Sequence, residues 1–254
     1  MNSVEHWAKL EGFDYRFLDD AFFDILPPWV MDKTASQRVV ATDLARLKWM
    51  QYFLANGYQR VVWFDADFLL FSPSTLQLLI SDEAYALGRE VWVQPKTPPD
   101  DELNAKLNVK LGGKLGEKQQ ASKKRETFKV YKKVHNAFLC FEENNHFLDF
   151  YAAHAERLLL KVAGPMPPQF IGPKLLTALH NIVQCPVQEN AGMLSPWVIR
   201  DVLNGGGPAL TLFKQKSSHA LSGVNLCSSL VSSDVLDGYD LQDAVELLLA
   251  RGKL

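Results

Sequence analysis

Apolar residues recur at helical spacing in some stretches of the chain and form short unbroken runs in others, and the two patterns alternate through the first 95 residues. Residues 4–11 read as a short helix, and Tyr15-Arg16-Phe17-Leu18 reads as a strand that ends in Asp19-Asp20. Between Ser36 and Asn56, Val39, Val40, Leu44, Leu47, Trp49, Met50, Phe53 and Leu54 fall at helical spacing, and Asn56-Gly57 supplies a left-handed stop. Val61-Val62-Trp63-Phe64 is apolar and β-rich without alternation, which predicts a strand covered on both faces at the centre of a sheet. Ser72-Pro73 opens a further helix, and Glu90 to Gln94 reads as a further strand. This alternation predicts an α/β layer with a mainly parallel central sheet flanked by helices.

The second half is more irregular. Ala137 to Phe141 reads as a strand, and Phe147 to Leu160 as an amphipathic helix with Leu148, Tyr151, Ala152 and Ala155 on one side. Pro165, Pro167 and Pro168 interrupt the chain before a helix from Lys174 to His180. Ser195-Pro196 starts another helix that Asn204-Gly205-Gly206-Gly207 terminates, and Asp240 to Arg251 forms an amphipathic terminal helix. Between Lys106 and Lys133 there are ten basic residues and two acidic ones, so residues 96–133 read as a basic, flexible insertion. Without repeats or a clear linker, residues 1–254 are expected to form one domain, with a first half 1–95, this insertion, and a second half 134–254.

Composition narrows the possibilities without naming a function. At 47% hydrophobic and 22% charged residues, the chain carries enough apolar surface to offset the entropy of ordering, which excludes disordered and fibrous classes. A net charge of −2 gives no general attraction for nucleic acid or anionic membranes. Cys140, Cys185 and Cys227 are odd in number and widely spaced, which fits reduced thiols rather than a disulfide framework or zinc site. With no export signal and no apolar run of spanning length, a cytoplasmic protein with no integral membrane segment is expected.

The candidate chemistry begins where the apolar run ends, at Asp65-Ala66-Asp67. In extended geometry residues i and i+2 project to one side, so both carboxylates face one point at the sheet edge where open α/β proteins bind ligands. At a separation of about 5 Å and an effective dielectric near 20, they repel by ~3 kcal/mol, so a cation is expected between them. A hard divalent ion suits two oxygen ligands and leaves positions open for a diphosphate. The simpler alternative is a pair of solvated aspartates capping the next helix. On the preceding helix, Asp43 and Arg46 lie at i and i+3 on one face, which by itself describes only an ion pair.

The segment Ala41-Thr42-Asp43-Leu44-Ala45-Arg46, followed by Gly57-Tyr58 and by Val61 through Phe71, resembles the GT-A glycosyltransferases. The likeness is closest to the retaining group with a DXD sugar-binding motif that includes mannosyl- and galactosyltransferases and glucosylating toxins. The resemblance is close over residues 41–71 and loose elsewhere. It implies a GT-A, Rossmann-like nucleotide-diphospho-sugar transferase fold and a hexosyl transfer from a UDP- or GDP-sugar, with retention. It also implies a manganese or magnesium ion bridging the diphosphate and the carboxylates of Asp65 and Asp67, with Asp43 and Arg46 holding the donor sugar. Val134-His135-Asn136-Ala137-Phe138 resembles the strand that places an asparagine beside the sugar, which makes Asn136 a candidate contact or else a turn residue. Phe170 to Leu176 resembles the family's Gly-Pro segment near the acceptor. His219 falls where many relatives supply a third metal ligand, although a loop histidine is as readily solvated, and Asn225, Ser228 and Ser229 are alternatives. The family's first strand, whose end helps hold the base, has no counterpart before the first helix, so Tyr15 to Leu18 and Asp19 are the remaining candidates for that role.

The acceptor is left open among a glycan, a lipid-linked sugar and a small molecule. The basic run is a solvated segment or an attractor for a phosphorylated or lipid-linked acceptor. Two rivals remain. One is a catalytically inactive nucleotide-sugar-binding relative. The other is a phosphatase of the haloacid dehalogenase type, disfavoured because Phe68 and Leu69 stand where that motif has glycine and Thr or Val. His6, His135, His146, His154 and His180 show no metal-ligand spacing, and neither a phosphate loop nor a nucleophile elbow occurs.

Overall fold

A computed structural model describes residues 2–78, 82–96, 127–143, 145–167, 169–232 and 234–254. Helix α1 (Asn2–Glu11) leads into an extended segment, a 3-10 turn (Asp20–Ile25), α2 (Pro28–Lys33) and the long α3 (Arg38–Ala55). Strands β1 (Arg60–Phe64), β2 (Phe68–Leu70), β3 (Tyr85–Pro95) and β4 (Phe128–Glu142) follow. The remainder comprises α4 (His146–Lys161), α5 (Pro173–Val183), β5 (Val187–Gln188), β6 (Ala191–Met193), α6 (Pro196–Leu203), α7 (Pro208–Lys216), β7 (Gly223–Asn225) and α8 (Leu241–Arg251).

The architecture is mixed α/β, but its sheets are not mainly parallel. The larger sheet has the order β1-β4-β3-β5, with β1 and β3 both antiparallel to β4 and only the two-residue β5 parallel to β3. The smaller sheet has the order β2-β7-β6, antiparallel then parallel. An unbroken apolar run reports that both faces of a strand are covered and says nothing of the direction of its neighbours. Thus Val61 and Trp63 pack into the core under α3, while Val62 and Phe64 pack toward Trp7 and Phe138. Yet β1 is an edge strand of its sheet rather than the central one, and all five of its residues are half-buried.

Several other expectations are corrected. Residues 13–19 form no strand, and 13–18 face β1 across a cleft rather than through a hydrogen-bond ladder. After Ser72 there is only a 3-10 turn, Pro73–Thr75. The basic stretch is not wholly an insertion: Phe128 to Lys133 belongs to β4, whose register with β3 runs continuously from Gly88↔His135 to Pro95↔Phe128. The rest of that stretch, 97–126, lies outside the described residues. By contrast, Asn204 and the glycines at 205–207 do end the helix begun at Ser195-Pro196, and Asp201 reaches forward to accept from the Ala209 and Leu210 amides and so caps α7.

Helix α3 positions the site. Its inner face carries Val40, Ala41, Leu44, Ala45, Leu47 and Met50 into the largest core cluster, packed against α4 and β1. Asp43 and Arg46 lie on that same inward face, each 4% exposed. Burying them requires partners.

Candidate functional site

Three elements meet at Arg46. Its Nη1 donates to the Asn136 carbonyl on β4 at 2.8 Å and lies 3.7 Å from Asp43 Oδ1. Its Nη2 reaches the Asp65 carboxylate at the end of β1, 3.1 Å from Oδ1 and 3.4 Å from Oδ2. The Asn136 amide donates to Asp43 Oδ1 at 2.8 Å. The Trp63 indole, two residues earlier on the same face of β1, donates to Asp65 Oδ1 at 2.7 Å and lies beneath the guanidinium, 5.7 Å from its ring centroid to Arg46 Cζ. Asp43, Arg46, Asn136 and Asp65 thus form one network. Two of its atoms, Asp43 Oδ2 and Arg46 Nε, are buried without a hydrogen-bond partner among the described residues.

The network is closed from above by Gly172, the residue preceding Pro173 at the start of α5. A Cβ at this position would lie 2.4 Å from Asp43 Oδ2, so only glycine allows the α5 N-terminus to approach this carboxylate. The positive end of that helix favours the charge. Tyr151 of α4 holds the turn by donating to the carbonyls of Ile171 and Gly172. Burial nonetheless dominates, and the Asp43 carboxyl is pushed up to about 6 against the opposing pull of Arg46 and Asn136. Asp65 is also raised, first by burial and further by Asp67, with Arg46 and Trp63 opposing.

Asp67 faces the smaller sheet. Its Oδ1 accepts from the Asn225 amide at 2.5 Å, and its Oδ2 accepts from the Ser228 amide and hydroxyl at 2.8 and 2.9 Å. Asn225 Oδ1 in turn accepts from the Cys227 amide at 2.9 Å. The two carboxylates are therefore near enough to interact but are held by different walls. Each retains one oxygen with a single hydrogen-bond donor, Oδ2 of Asp65 and Oδ1 of Asp67.

Beside Asp65 opens a cleft of about 200 Å³ between the extended segment and β1, lined among others by Tyr15, Phe17, Trp49, Phe53, Trp63 and Asp65. Tyr15 to Leu18 line this cleft together with Asp65. Asp19 does not line it, because its carboxylate caps the 3-10 turn by accepting from the Ala21 amide. His219 is exposed on the loop after α7, where the neighbouring Ser218 hydroxyl is held by Lys132. The structure does not bring it together with Asp65 and Asp67, and among the described residues no three His, Cys, Asp or Glu side chains form a group able to hold a metal ion.

Sequence reasoning missed Glu90 on β3. It is 9% exposed, is pushed up to about 7 by burial against the pull of Lys133, and makes no hydrogen bond or ion pair with a described residue. Its signal was present in Glu90-Val91-Trp92-Val93-Gln94, where polar or aromatic residues alternate with valines destined for the core. No helix among the described residues is long and apolar enough to cross a membrane. No protein-family model, curated protein or solved structure matches the chain.

Proposed function

We propose that the protein is a GT-A-like glycosyltransferase that moves a hexose from a UDP- or GDP-sugar to an acceptor, with the donor lying between the aromatic cleft and the carboxylates at the end of β1. The observation that carries this reading is the buried Asp43–Arg46–Asn136 network, which leaves two polar atoms unmet and runs through Arg46 to Asp65 at the cleft. A buried polar atom without a partner costs ~1–3 kcal/mol, and a core that keeps two of them next to the cleft-lining Asp65 carboxylate is built for more than stability, although Asp43, Arg46 and Asn136 do not themselves line the cleft. The aromatic lining contributed by Tyr15, Phe17, Phe53 and Trp63 suits the flat face of a nucleobase.

A manganese or magnesium ion fits the donor set in part. Asp65 and Asp67 would hold it through the oxygens that carry a single donor each, and the diphosphate would complete the shell, since protein side chains alone do not. Such an ion supplies charge neutralisation of the departing diphosphate. Arg46 opposes the rise that burial imposes on Asp65 and fixes its orientation, Asn225 and Ser228 hold the Asp67 carboxylate in place, and Gly172 brings the α5 N-terminus against Asp43. Retention of configuration follows from the family resemblance.

Calorimetric titration with a panel of UDP- and GDP-sugars in the presence of manganese tests the reading: binding that depends on manganese and is followed by release of free UDP or GDP is expected. A second reading, an inactive nucleotide-sugar-binding relative, is favoured by the fact that both carboxylates already hold protein donors. It predicts the same binding without release of nucleotide.

A further inference from the structure

The β3–β4 ribbon has one face that stays partly exposed. Cross-strand partners share a face, so Gly88 and His135, Glu90 and Lys133, Trp92 and Tyr131, and Gln94 and Lys129 all project to one side. The opposite side, with Val91, Val93, Phe128 and Val130, packs into the core beneath α6 and α7. Along the first face burial falls outward: His135 is fully buried, Glu90 is 9% exposed, Trp92 and Gln94 are half-buried and Tyr131 is 38% exposed. Lys133 and Lys129 flank the Tyr131 ring, with their ammonium groups 5.2 and 5.4 Å from its centroid. Neither lysine forms an ion pair with a described residue, while Trp92 is held in place by its indole donating to Gln94 at 3.2 Å.

The inner end of this face adjoins the site. Glu90, Asp67 and Asp65 all lie within electrostatic reach of the Cys227 thiol, and the Cys227 amide is bonded to the same Asn225 that donates to Asp67. The surface therefore begins at the buried Glu90 carboxylate, which receives no hydrogen bond from a described residue, and continues outward through an indole, an amide, a phenol and two cations. Flat aromatic faces pack against the C–H faces of sugar rings, and a carboxylate and an amide meet hydroxyls. Lysines that form no ion pair with a described residue suit acidic substituents on those rings.

We infer that this face is the platform for a saccharide acceptor carrying acidic groups, with its rings over Trp92 and Tyr131, its acidic groups at Lys129 and Lys133, and the Glu90 carboxylate accepting a hydrogen bond from a hydroxyl of the innermost ring. This assignment rests on the glycosyltransferase reading for the direction of transfer, but the surface itself does not depend on it.

The test uses the full chain and oligogalacturonides as the acidic probe, with maltohexaose as the neutral one and polyglutamate as a non-saccharide polyanion, followed by calorimetry and tryptophan fluorescence. Manganese-dependent binding of UDP- and GDP-sugars to the unchanged protein is recorded alongside. Oligogalacturonide binding that exceeds both other probes is expected. Trp92→Ala and the pair Lys129→Gln, Lys133→Gln should each weaken it about tenfold, with Trp92→Phe restoring most of the loss. Tyr131→Ala, at an exposed position, serves if Trp92→Ala fails to fold. Equal binding of polyglutamate, binding indifferent to all these variants, or a dimer in sedimentation that Tyr131→Ala dissolves would each overturn the platform. Nucleotide-sugar binding without oligogalacturonide binding overturns the platform and leaves the donor reading standing. Oligogalacturonide binding without nucleotide-sugar binding does the reverse.

Discussion

Asp65 and Asp67 leave the same strand with one residue between them, yet they belong to two regions built on different principles. Asp65 joins a network in which Arg46 and Asp43 are each only 4% exposed, so that wall is part of the core, and its charges were placed when α3 packed on β1 and β4. Asp67 is held by an amide and a hydroxyl from the short β7 and the turn after it, at the edge of a three-stranded sheet. The first wall couples function to stability; in the second, Asn225 is equally buried at 4% exposed, but Ser228 lies at the surface and can change without disturbing the core. The difference teaches that residues needed for one proposed reaction need not respond alike to mutation.

The largest effect that separates the regions is expected at Arg46. Arg46→Leu leaves Asp43 and Asp65 without their cation in a buried setting, and urea denaturation should show a loss of about 3–5 kcal/mol. A change below 1 kcal/mol would mean that the network is not a structural unit.

Next comes the pH response of Asp43. Its folded carboxyl is raised to about 6 from an ordinary value of 3.8, so between about pH 4 and 6 the folded state binds more protons than the unfolded state. Stability contributed at this position therefore falls as pH rises through that window, by on the order of 2–3 kcal/mol. His135 acts in the opposite sense, since burial lowers it to about 4 and stability is lost as the medium is acidified below its unfolded value of 6.5. The two slopes oppose each other in the unchanged protein. Subtracting the Asp43→Asn curve from that of the unchanged protein isolates the first, and a difference that is flat or rises with pH would refute the assignment.

Gly172→Ala probes the roof of the same region. The added methyl would meet the Asp43 carboxylate at 2.4 Å, and forcing the α5 N-terminus outward should cost about 1–3 kcal/mol in thermal or chemical unfolding. At the other wall, Ser228→Ala removes one hydroxyl donor from Asp67 and should cost no more than ~1 kcal/mol, because the Ser228 amide and Asn225 remain. If Ser228→Ala destabilised as much as Gly172→Ala, the contrast between the two regions would not hold.

Much of this was legible in the chain, but unevenly. Apolar periodicity located α3 and α4 to within two residues because each buries one face against the other. It also identified β1 as a strand with both faces covered. It could not show that β1 lies at an edge or that β3 and β4 run antiparallel, since strand order depends on contacts between distant segments. Asp43 and Arg46 were readable as a polar pair on one helix face and Asn136 only through the family resemblance; that all three are buried was not, and the structure joins them by direct hydrogen bonds and an ion pair. Asn225 and Ser228, considered only as substitutes for His219, turn out to hold Asp67. Glu90 escaped notice because a single carboxylate in a strand has meaning only once the register places it opposite Lys133 and near Cys227. The closeness of Gly172 to Asp43 was equally invisible, because 129 residues of chain separate them.

The central claim is tested most directly at the second wall. Asp67→Asn, which keeps the side chain's size while removing its charge, should lower the melting temperature by only a few degrees, because its NH2 meets a donor from Asn225 or Ser228, and abolish manganese-dependent binding and turnover of a UDP- or GDP-sugar that the unchanged protein supports. Undiminished turnover in Asp67→Asn, or no nucleotide-sugar binding by the unchanged protein at any manganese concentration, would contradict the account.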